Sequence, residues 1–317
     1  MIPFYQWLRR WAGECLSESS AIYLSLIKIL IPAIILVKVL QVAGVIALLG
    51  DVMAPLMNII GLPSILGIVW ATAVLTNIVT GMVVFVNIAG SESLTVAQVT
   101  VLGGLLLISH SIPVEGLVAR KAGVPWWLTV VLRVGGAFVF GAVLHWTYQL
   151  TGTLQETNVL VWQPQAINDS AQAWLIAQLK LLVTIFFVIL LLVTTLKVIR
   201  GIGIEVLLHR VIQPLLFLIG VNKSAANTVI VGFTLGLTFG AGLLIRDIET
   251  GKLDRANAGL VMCFLGLCHG LIDDTLLVML FGAHISGALW GRIIFSVLLM
   301  AIYVHLLRGR TFLKKRA

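Results

Sequence analysis

Long apolar runs constrain this chain most: residues 20–41 and 174–199 each exceed the roughly 20 residues an α-helix needs to cross a bilayer. In hydrocarbon every backbone N–H and C=O must find its partner inside the chain, so a succession of such runs folds as a bundle of helices. Composition agrees. Of 317 residues, 60% are hydrophobic and only 11% are charged, and the mean hydropathy is +1.08. So little charge could not cover the surface of a soluble protein of this length, which excludes that class. The net charge of +8 comes from basic residues near the ends of apolar runs. That placement points to anchoring on an anionic leaflet and away from nucleic acid. Cys15, Cys263 and Cys268 are too few for a disulfide framework.

The chain also matches itself at an offset of 159 residues, without gaps from about residue 38 to 145. Lys38 meets Lys197, Pro55 meets Pro214, Gly81 meets Gly240, His110 meets His269, Gly123 meets Gly282 and Arg133 meets Arg292. Glu115 falls on Asp274, an acid on an acid. The chain has six His and eight Pro, so coincidence of rare residue types at one shift points to an internal duplication. Each copy carries a long apolar helix, a shorter amphipathic stretch (44–60 and 203–219), a third element (64–90 and 224–247), a fourth (96–122 and 255–281) and a fifth (126–149 and 286–307).

Loop charge orients the copies. The connector at 151–173 has no Lys or Arg and is assigned outside, whereas both basic termini are assigned to the cytoplasm. Each copy must then cross an odd number of times, so one of its four long elements turns back. Lys223 on one side and Arg246, Lys252 and Arg255 on the other bracket residues 224–247, which marks a re-entrant hairpin, with 64–90 as its counterpart. The fourth elements are spans interrupted at SHSIP (109–113) and CHGLIDD (268–274). The expected architecture is an all-α polytopic protein of the bacterial inner membrane with two inverted repeats, at 20–150 and 174–307. An amphipathic segment (1–19) precedes them and a basic tail (308–317) follows. Inverted repeats with broken helices are a layout of secondary transporters, which bind near the bilayer midplane.

Across SHSIPVEGLVARKAG (109–123), GFTLGLTFGAGLLIRD (232–247) and CHGLIDDTLLVMLFGAH (268–284), the chain resembles the Gate, or nucleoside-recognition, family of bacterial membrane proteins. That family includes spore maturation proteins A and B and the Gate segments of ferrous iron transport protein B. The order of parts is also similar to the transport core of concentrative nucleoside transporters. The resemblance implies a transporter or transporter-like binding protein for a small polar solute, a nucleoside among the candidates, coupled to H⁺ or Na⁺. A non-transporting scaffold or membrane partner of the spore-maturation type is the alternative it allows, and a divalent metal transporter a lesser one. A homo-oligomer or a partner protein fits either reading. No Gly-rich loop with Lys and Ser or Thr is present, a departure from ferrous iron transport protein B.

Ionisable residues at membrane depth are costly and mark function by default. His110 with Glu115, and His269 with Asp273 and Asp274, sit at the two breaks, where the acids could equally serve as caps for the second half-helices. Glu115, Asp273 and Asp274 are the candidates for ion coupling. Ser109 adds a hydroxyl at the first break. Thr76, Asn77 and Thr80 form a polar patch at the first hairpin tip, and Thr234 and Thr238 lie in the glycine-rich second hairpin. Hydrogen bonding back to their own helices would explain the Thr and Asn equally well. Arg133 and Arg292 read as interfacial anchors. No HxxxH or CxxC spacing marks a metal centre, no cofactor is implied, and Cys268 beside His269 does not make a nucleophile and base pair.

Overall fold

The computed structural model describes residues 4–89, 93–159, 171–201, 214, 229 and 237–314. Thr234, most of the second amphipathic stretch and the first part of the second hairpin lie outside the described residues. The architecture is helical throughout what is described, apart from an isolated antiparallel bridge between Thr95 and Thr157.

Helix α1 (Phe4–Val42) runs continuously past residues 19 and 20, where the sequence suggested a separate amphipathic segment. Nothing there breaks a helix, and Cys15 and Ser19 are buried on one face. Next come α2 (Val45–Ile59), α3 (Leu66–Leu75), α4 (Ile78–Ala89), α5 (Val96–Ser109), α6 (Ile112–Lys121) and α7 (Trp126–Val130). A π-helical turn (Val131–Gly135) leads into α8 (Gly136–Thr151), followed by α9 (Ala171–Gly201), α10 (Leu237–Glu249), α11 (Arg255–Cys268) and α12 (Asp273–Leu280). A second π-helical turn (Ser286–Gly291) opens α13 (Arg292–Lys314). Six stretches among the described residues are long and apolar enough to cross a bilayer: Arg9–Val42, Val96–Lys121, Trp126–Thr151, Gln172–Val198, Arg255–Leu280 and Ser286–Leu306. Val139, Val143, Trp146 and Leu150 make an exposed apolar stripe on α8, while Phe140, Leu144 and Tyr148 on its other face are buried. One face for lipid and one for protein is what a peripheral span requires.

Helices α3 and α4, of 10 and 12 residues, are each about 15–18 Å long and too short to cross. They fold back on each other, because a methyl group on Gly81 would meet Ala73 Cβ at 2.6 Å and Val69 O at 3.2 Å. Asn77 forms the turn, its Oδ1 accepting from Thr80 N at 2.9 Å and Thr80 Oγ1 at 3.1 Å.

The two broken spans, α5–α6 and α11–α12, run antiparallel. Gly103 lies against Val278 and Ala283, the two His rings meet in the middle, and Glu115 and Ala119 share a cavity wall with Met262 and Gly266. The closing helices do the same: Gly136 packs on Leu299, the Phe140 and Phe295 ring centroids are 5.0 Å apart, and Tyr148 Oη is 2.9 Å from Ser286 Oγ. Helices α1 and α9 form an antiparallel pair at the periphery. Lys197 meets Glu14 and Glu18 at 3.7 and 3.3 Å, Tyr23 meets Phe186, and Lys38 lies 6.0 Å over the Trp174 ring.

Candidate functional site

Both breaks have the same local form. Helix α5 stops at Ser109, His110 is extended (φ −69°, ψ 162°) and Ser111 is left-handed (φ 54°). Helix α11 stops at Cys268, His269 is extended (φ −82°, ψ 175°) and Gly270 is left-handed (φ 53°). Serine resists this conformation more than glycine does, and two bonds to the hairpin hold it there: Ser111 N to Ala73 O and Ser111 Oγ to Thr76 O, both 2.9 Å. Trp70 Nε1 donates to Ser109 Oγ at 2.9 Å, so the hairpin tip is docked on the first break.

A broken helix exposes carbonyls that no i+4 amide reaches. Two arginines supply the missing donors. Arg133 Nε donates to Ile108 O at 2.7 Å and Nη2 to His110 O at 2.8 Å, while Nη1 pairs with Glu115 Oε2. Arg292 Nη2 reaches His269 O at 3.2 Å and Gly270 O at 3.3 Å. With 1% and 0% exposure, both arginines are buried and neither is the interfacial anchor the sequence suggested. Their positions early in the closing helices looked peripheral, yet the antiparallel packing turns them inward. The sequence signal for them was their match at the 159-residue offset.

Both histidines are buried, with 5% and 3% exposure, and each ring nitrogen Nδ1 lies 2.8 Å from the carbonyl four residues back, Leu106 O and Leu265 O. A carbonyl only accepts, so Nδ1 carries the proton in each ring and Nε2 faces the crossing. The two Nε2 atoms are 3.3 Å apart. Glu115 Oε1 lies 3.3 Å from His269 Nε2 and 3.7 Å from His110 Nε2, and Asp274 Oδ2 lies 3.8 Å from His110 Nε2. Asp273 and Asp274 begin α12 and stand over Gly270, where an added Cβ would meet both carboxylates. Asp273 Oδ1 is buried without a hydrogen-bond partner among the described residues.

The structure thus joins His110, Glu115, His269 and Asp274 in direct contact, with Asp273 beside them and Ser109 one residue away. Thr76, Asn77 and Thr80 are engaged locally, Thr76 Oγ1 with Thr72 O at 2.6 Å, and bear on the centre only through the Thr76 carbonyl that Ser111 binds. Thr238 lies in α10, and Thr234 is outside the described residues. A cavity of about 10 Å³ beside Glu115 and Arg133 extends to Met262 and Cys263 and has room for about one water.

The chain is 27% identical over 283 residues to the "Uncharacterized membrane protein YvoD" of Bacillus subtilis (strain 168), a match covering 88% of this chain and 89% of that one. The present chain, with six helices long and apolar enough to cross a bilayer among its described residues, is a multi-pass membrane protein. No family model and no solved structure matches it.

Proposed function

We propose that this protein is a secondary transporter for a small polar solute or ion, coupled to H⁺ or Na⁺, with its binding centre where the two broken helices cross. The observation that carries this reading is the contact set of His110, Glu115, His269 and Asp274. Four ionisable side chains from both broken spans converge at membrane depth, where a structural role alone is costly. The matching breaks, the antiparallel crossing and the short α3–α4 hairpin support an inverted repeat with re-entrant hairpins, arranged for alternating access. In this conformation the cavity at Glu115 admits a water or an ion and no sugar, so a solute of nucleoside size requires the core to open.

Proteoliposomes containing the full chain, with an imposed H⁺ or Na⁺ gradient, test the reading against labelled uridine, adenosine and Co²⁺. Saturable, gradient-dependent uptake is expected. His269→Ala and Asp274→Asn should each lower it about tenfold or more, the effect of losing about 1.4 kcal/mol of binding. Undiminished uptake in both variants would remove the site. No uptake of any probe, together with a co-purifying protein, would favour a scaffold.

A further inference from the structure

We infer that His110, His269 and Asp274 form a binding site for one divalent transition-metal ion of the zinc and cobalt class, with Glu115 within reach as a fourth donor. The assignment rests on reading the crossing as the functional centre.

With Nδ1 of each ring turned to a backbone carbonyl, Leu106 O or Leu265 O, both Nε2 atoms are left to face the crossing, 3.3 Å apart, where one ion can take both as ligands. One donor atom each from His110, His269 and Asp274 lies within 4.8 Å of the others, and Glu115 Oε1 adds contacts of 3.3 and 3.7 Å. A tetrahedral site with bonds of about 2.1 Å has donor-to-donor edges of about 3.4 Å, so the side chains need shift only slightly to close on an ion.

The surroundings are those of metal ligands as well. Each imidazole is oriented through its other nitrogen by a backbone carbonyl, and Glu115 is held through its second oxygen by Arg133. At this crossing three carboxyl groups, Glu115, Asp273 and Asp274, stand beside the two guanidinium groups, so carboxylate oxygens are at hand to complete the shell of an ion held by the imidazoles. Two imidazole nitrogens with carboxylate oxygen suit zinc or cobalt, whereas Na⁺, Mg²⁺ and Ca²⁺ prefer all-oxygen shells.

The test titrates Co²⁺ into the detergent-purified, chelator-stripped full chain and follows its visible d–d absorption. One equivalent should bind saturably and be displaced by Zn²⁺, whereas the signal should disappear in His110→Ala and His269→Ala and persist in His305→Ala. Because the histidine variants could fail to fold, X-ray absorption on the Zn²⁺-loaded native chain gives a second readout, with two imidazoles plus oxygen expected around the ion. No stoichiometric binding, a shell without imidazole, or undiminished binding in folded histidine variants would overturn the site. Binding is read without a membrane gradient, so a chain that binds the metal but takes up none of the three probes into proteoliposomes would sink transport and leave the site standing.

Discussion

Arg133 does by side chain what the backbone of α5 cannot do after its break. Its planar fork serves Ile108 O, His110 O and Glu115 at once, a geometry that lysine's single ammonium does not reproduce. Arg133→Met should therefore cost about 3–5 kcal/mol, the range for leaving a buried charge unpaired, and Arg133→Lys should recover only part of that. Arg292 is less well engaged: its two bonds are longer, and its Nε and Nη1 are buried without hydrogen-bond partners among the described residues. Arg292→Met should cost less than Arg133→Met. Thermal unfolding of the three variants in detergent would measure the order, and a larger loss at Arg292 would contradict it.

At the scale of elements, helix ends outside the hydrocarbon follow ordinary capping rules. Asp254 starts α11, accepting from Asn257 N at 2.9 Å and from its side-chain amide at 2.6 Å, and these bonds hold its carboxyl below the usual range. With a folded value below the unfolded one, the cap stabilises at neutral pH and its contribution is lost as pH falls through the carboxylate range. Asp254→Ala should cost about 1 kcal/mol near pH 7. Asp254→Asn should keep most of the cap while removing its pH dependence, which unfolding curves at pH 7 and pH 4 would show. Elements of this kind were legible in the sequence. The apolar runs gave the six spans to within a few residues except at the amino terminus, where α1 extends the first run backwards. The π-helical turns were not legible, because they arise where a span is adjusted to its neighbours and not from residue preference.

For the molecule as a whole, packing places Leu94, Asn158 and Phe281 together at one end, where Asn158 N donates to Leu94 O and Asn158 Nδ2 to Phe281 O. The turns at Ala122–Pro125 and Thr250–Asp254 belong at the other end, since α6 ends and α11 begins there. Thr153→Cys and Lys252→Cys, each at an exposed position, should accordingly react with a membrane-impermeant maleimide from opposite faces of intact cells. Reaction of both from one face would break the proposed topology. The 159-residue offset foretold that His110 and His269 were related, yet it could not foretell that they touch, since relatedness in sequence says nothing about the axis that relates them. The arginines were misplaced for the same reason. Each arginine ties a break to the closing helix of its own half through its guanidinium group. At the crossing, every ionisable contact between the halves among the described residues includes a histidine. The seam is thus the one place in this centre where adding or removing a small cation changes the attraction between two otherwise fixed bodies.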